Sequence, residues 1–162
     1  MGLLQVATTT VTGTPSTVQI LGTTTDDVYL VAMNNVRPTT DDKDLFCRVT
    51  VGGTADTSAE YDTAYKQIRA DNNFGLTQRT NETSWLLEFA IGNIEGEEMF
   101  NGLMYLYNFN NSSEFSFMSL EASNRLQGQN LLAETGGGVQ TETQACNGLE
   151  FFGKVLAHLQ VE

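Results

Sequence analysis

Apolar and polar side chains alternate with period two from one end of the chain to the other, and this pattern limits the fold more than any other feature. Val18 and Ile20 share one face of a short run, while Val28, Leu30 and Ala32 alternate with Tyr29, Val31 and Met33. Leu45, Cys47, Val49 and Val51 point opposite to Phe46, Arg48 and Thr50. The same reading applies to residues 85–91, 103–109, 115–120, 139–143, 149–152 and 155–161. These runs are short, rich in β-branched and aromatic residues, and bounded by Gly, Asn, Asp or Ser, which is the signature of strands and turns. Residues 58–70 carry Tyr61, Tyr65 and Ile68 at helical spacing, but Thr63 between two tyrosines suits a pleated surface better, so a strand is expected there as well.

So many strands cannot lie in one sheet with both faces bare, because each apolar face needs a cover. The expected fold is therefore all-β, a two-layer antiparallel β-sandwich of jelly-roll type. A jelly roll accommodates the polar stretches 71–84 and 92–102 as long loops. An immunoglobulin-like sandwich has fewer strands, and although Cys47, Trp85 and Cys146 stand in its Cys–Trp–Cys order, they are far too widely spaced. With 162 residues, one self-sufficient core is expected. Residues 17–162 are assigned to that sandwich. Residues 1–16 are assigned to a Thr-rich extended arm or edge strand laid on a neighbour, because Val6 and Val11 are the only large apolar side chains of the 5–16 stretch and give it too little surface to anchor itself.

Composition decides which partners to expect. Eight Lys and Arg against twenty Asp and Glu give a formal charge of −12, and the cations are scattered singly between Arg37 and Lys154. Nucleic-acid and anionic-membrane binding both rely on clustered cations, so neither is expected. Charged residues make up only 17%, leaving a surface dominated by Thr, Asn, Ser and Gln. No apolar run approaches the ~18 residues that span a bilayer, and residues 1–5 have neither the basic nor the apolar region of a signal peptide, which points to synthesis in a cytoplasm. Cys47 and Cys146 lie in apolar alternating runs and are expected to be reduced core residues.

Chemistry-bearing motifs are sparse. The lone histidine, His158, falls on the polar face of a C-terminal strand pattern, and no nucleophile elbow accompanies it. Zinc would need clustered Cys and His, and the acidic turns at residues 26–27, 41–44 and 95–98 match no calcium loop. Gly136, Gly137 and Gly138 lead into a strand pattern without a cation, so they read as sharp backbone or close approach of a neighbouring chain and not as a phosphate cradle. No catalytic, cofactor or metal site is expected. Tyr105, Tyr107 and Phe109 alternate on one strand face within an Asn-rich stretch. That stripe fits a buried sheet face, a subunit interface or a sugar-binding platform. The Asn-x-Ser/Thr sequons at Asn81, Asn110 and Asn111 carry no weight without a secretory route.

Four stretches, TTTDDVYLVAMNNV (23–36), SAEYDTAYKQIRADNNFG (58–75), NGLMYLYNFNNSSEFSFMSLEAS (101–123) and GGGVQTETQACNGLEFF (136–152), resemble a family of small virion proteins of tailed, aquatic and cyanobacterial bacteriophages. The resemblance implies a β-sandwich structural protein of the particle and no catalytic residues. The −12 charge would be repelled by packed DNA, so an exterior position is expected. With no fibre repeats or heptads, the chain fits a capsid decoration (cement) protein that contacts the major capsid protein or its own copies as a trimer. The alternative is a tail or fibre module that binds a host receptor or glycan. The expected contact residues are Val6, Val11, Phe74, Tyr105, Tyr107 and Phe109. On this reading, removal of residues 2–12 leaves a folded domain that no longer attaches to particles.

Overall fold

A computed structural model describes every residue except 1–3, 12, 26–27, 72, 126–130, 154–155 and 162; for 156–161 it describes the backbone only. The described residues form β1 (Thr9–Thr10), β2 (Thr17–Leu21), β3 (Tyr29–Pro38), β4 (Lys43–Val51), β5 (Thr54–Ala55), β6 (Tyr61–Arg69) and β7 (Phe74–Glu82). They continue through β8 (Trp85–Ile91), β9 (Phe100–Tyr107), β10 (Ser116–Arg125), β11 (Leu131–Gln140), β12 (Gly148–Gly153) and β13 (Leu156–Val161). No helix occurs among them.

Two antiparallel sheets pack face to face. One has eight strands in the order β1-β13-β3-β9-β10-β11-β6-β7; the other runs β2-β12-β4-β5, with β8 pairing the same edge of β4 further along. Setting aside β1, β5, β13 and the β9–β10 hairpin leaves two four-stranded sheets, β2-β12-β4-β8 and β3-β11-β6-β7. That interleaving of strands distant in sequence is the jelly-roll order. The β9–β10 hairpin is an addition that slots between β3 and β11 and widens one sheet.

Trp85 locks the layers together. Fully buried, it projects from the smaller sheet, meets Tyr61 edge-on with ring centroids 5.3 Å apart, and donates its indole N–H to the Val139 carbonyl at 3.1 Å. Gly138 makes room for it. A Cβ on Gly138 would stand 2.8 Å from the indole ring and 2.8 Å from the Asp62 carbonyl, and one on Gly136 would collide with Ala64 and Tyr65. These glycines lie in mid-strand, so close approach, and not sharp backbone, explains them. The strand expected at 139–143 accordingly runs earlier, over Leu131–Gln140.

Two further expectations change. Within the 71–84 stretch Phe74–Glu82 form an edge strand, not a long loop; none of its side chains is fully buried, so no apolar alternation announces it. The 92–102 stretch is shorter as a loop, since β9 begins at Phe100. Residues 58–70 do form a strand. Thr9 and Thr10 pair with Val161 and Gln160 at the sheet edge, and Val11 is buried in the core. Removing residues 2–12 therefore extracts a core side chain as well as an arm.

Replacing Gly138 with Ala should lower stability by roughly 1–3 kcal/mol, the usual cost of overpacking a filled core. Urea unfolding followed by Trp85 fluorescence measures this, and an unchanged midpoint would show that the indole does not need the space.

Candidate functional site

The β9–β10 hairpin has two apolar faces. Inward, Met104, Leu106, Met118 and Leu120 belong to the core. Outward, Leu103 (44% exposed), Tyr105 (44%), Tyr107 (36%) and Phe117 (43%) remain open to solvent, with Phe115 exposed just before β10. Register gathers them into one patch: Tyr107 lies beside Phe117, which lies beside Val139, and Tyr105 lies beside Leu30. The Tyr105 and Tyr107 rings stack with centroids 6.5 Å apart at 25°, and the Tyr107 hydroxyl stands 3.4 Å from the Ser119 hydroxyl. An exposed aromatic face of this kind is a candidate contact surface.

The six contact residues expected from the sequence do not form one site. Tyr105 and Tyr107 sit on this patch. Phe74 is exposed on β7 at one end of the large sheet, and Val6 is exposed in the arm beside its other end. Val11 and Phe109 lie in the core and present nothing to a neighbour. Phe109 departs from the stripe because β9 ends at Tyr107 and Asn108 adopts a left-handed φ of 60°, turning the next side chain inward. The alternation missed Leu103 and Phe117 as contact residues, although the Phe115–Phe117 spacing already placed two aromatics on one face.

A second feature had no signal in the sequence. Glu88 and Glu134 are buried between the sheets, one from each layer. Strict alternation from Trp85 would place Glu88 outside. However, Phe46 pairs with Leu86 and Leu45 with Glu88, so Leu87 is an extra residue and the bulge turns Glu88 inward. The Glu88 carboxyl accepts the Phe89 N–H at 2.8 Å, and Glu134 accepts the Gln67 amide at 2.5 Å. Burial raises the Glu88 pKa well above the carboxylate range, and the neighbouring Glu134 and Asp44 raise it further. Burial also raises Glu134, against the hydrogen bond from Gln67 and the charge of Arg69. Both carboxyls therefore hold their protons to higher pH than exposed ones do. Both side chains are buried, so neither carboxyl faces solvent.

Cys47 and Cys146 are free and buried, as expected from their place in apolar runs. Burial pushes the Cys146 thiol up to about 11 and holds Cys47 well above its ordinary value. Neither supplies a thiolate nucleophile at neutral pH. No group of three or more His, Cys, Asp or Glu residues able to hold a metal ion occurs among the described residues, and no helix there is long and apolar enough to cross a membrane. His158 lies on β13, where only the backbone is described, so the expectation for its side chain falls outside the described residues.

No protein-family model matches the sequence, and neither the curated proteins nor the solved structures compared with it contain a match.

The carboxyl pair fixes the sign of a pH effect. In the unfolded chain these groups release protons near 4.5, whereas the folded chain retains them to higher pH. The folded state then binds more protons, and stability falls as pH rises past that value. The melting temperature should decline from pH 4 towards neutrality, and Glu88→Gln should flatten the decline and raise the neutral-pH value. A variant whose pH profile parallels the parent's would count against protons retained by the pair.

Proposed function

We infer that this chain is a structural protein of a bacteriophage virion, acting as a decoration (cement) protein on the outer surface of the head. The observation that carries this reading is the bare aromatic face of the added hairpin, Leu103, Tyr105, Tyr107 and Phe117, on a sheet whose other side already completes the core. Such a face works by burying apolar area against a protein neighbour, and a stable contact needs about 800 Å² from each partner. The major capsid protein is the proposed partner. The −12 charge favours the outside of the head over the DNA-filled interior. A ring of three copies would match the local symmetry of a capsid lattice.

A receptor- or glycan-binding tail module is the second reading. The stacked Tyr105–Tyr107 pair favours it, since paired exposed rings are suited to the apolar faces of a sugar.

Labelled antibody on intact particles separates the two. Many copies over the head support the cement role, and a few at the tail support the module. On the cement reading, Tyr107→Ala and Phe117→Ala should each weaken attachment to undecorated particles about tenfold or more, as truncation of an anchoring side chain does. Their melting temperatures should stay close to the parent's. Undiminished attachment of the double variant would remove the hairpin face from the contact.

A further inference from the structure

We propose that the chain self-associates head to tail, the N-terminal arm of one copy adding as a strand to the free β7 edge of the next. Strand β7 ends the large sheet and is nine residues long, with no strand on its outer side among the described residues. Such an edge offers a row of backbone donors and acceptors to any extended segment. Natural edges are usually blunted by charge, but residues 74–78 (Phe-Gly-Leu-Thr-Gln) are uncharged, and Phe74 and Leu76 are 71% and 75% exposed on the same face.

The arm is the matching strand. Leu4 and Val6, two residues apart and so on one face when extended, are 86% and 54% exposed. Residues 4–7 are assigned to no strand, whereas Thr9 and Thr10 are already held by β13. Laid along β7, the arm sets Leu4 and Val6 beside Phe74 and Leu76 as cross-strand apolar pairs.

Charge singles out the arm as the segment that can approach. Each copy carries −12, so broad faces of two copies repel, yet the first charged residue in the sequence is Asp26. A neutral thread therefore crosses a gap that an acidic face would not. Reach makes the contact intermolecular. From β1 to β7 the sheet order has seven steps, or about 34 Å at ~4.8 Å per strand. Residues 4–8, anchored at Thr9, span at most about 17 Å. A chain cannot serve its own β7. The contact joins different surfaces of two copies and so closes into a ring or propagates, and it holds whether or not the protein belongs to a virion.

The test uses the full-length chain. Sedimentation at tens of micromolar should give a multiple of the 17.7 kDa monomer mass. Leu76→Lys, and separately deletion of residues 2–8 with Thr9–Thr10 and Val11 retained, should each reduce it to the monomer without lowering the melting temperature. For the geometry, Val6→Cys chains are mixed with tagged Leu76→Cys chains and treated with a short bis-maleimide. The mixed product should dominate. A monomeric parent, an assembly that survives both variants, or cross-links only between like chains would each overturn the proposal; a dominant Leu76→Cys self-product would instead show β7 pairing with β7.

Discussion

The sandwich depends on one interlock, a large ring from one sheet seated against a strand that lacks side chains in the other. Trp85 reaches across the interior to the place where Gly138 leaves space, and its N–H is satisfied by the Val139 carbonyl of the same strand. Shifting β11 by one residue would put Val139 where the ring must lie and would strand a buried donor, so the interlock fixes the register of β11. β11 is hydrogen-bonded to β10 on one side and β6 on the other. The same register thus places Val139 beside Phe117 on the outer surface. Core packing on one side of the sheet arranges the apolar patch on the other.

The two outer faces of the sandwich differ in how they treat their aromatics. On the smaller sheet Phe46 and Phe152 stack at 5.4 Å, and the Arg48 guanidinium covers Phe152 at 3.9 Å. Arg48 in turn meets Glu150 at 3.8 Å, and Gln19 donates to the same carboxylate group at 3.0 Å. Those rings already have their partners within the chain. Among the described residues no cation covers Tyr105, Tyr107 or Phe117, and the Tyr107 hydroxyl stands beside that of Ser119. The two sheets therefore differ in how far their outer rings are covered from within the chain.

The all-β class and the sandwich were legible because burial of one face per strand writes itself into the sequence with period two. β3, β4, β6 and β10 follow that alternation closely enough to be read directly. What could not be read was whatever breaks the period. β7 buries none of its side chains fully and so shows no apolar alternation. Leu87 is an inserted residue that reverses the sense of Glu88, and the left-handed Asn108 takes Phe109 out of its stripe. Val11 resembled a free arm residue because its burial comes from strands far away in sequence. The glycine run was read correctly as a place of close approach, but the ring that needs the space lies about fifty residues upstream in the sequence.

Both thiols lie sealed beneath the sheets, with no crosslink between them and burial holding each in its protonated form. A thiol must first become thiolate to be oxidised or exchanged. The interior is therefore indifferent to redox poise: glutathione finds nothing to reduce and dissolved oxygen little to attack. Its two cysteines therefore need neither form nor break a disulfide on passing from a cell to aerated water.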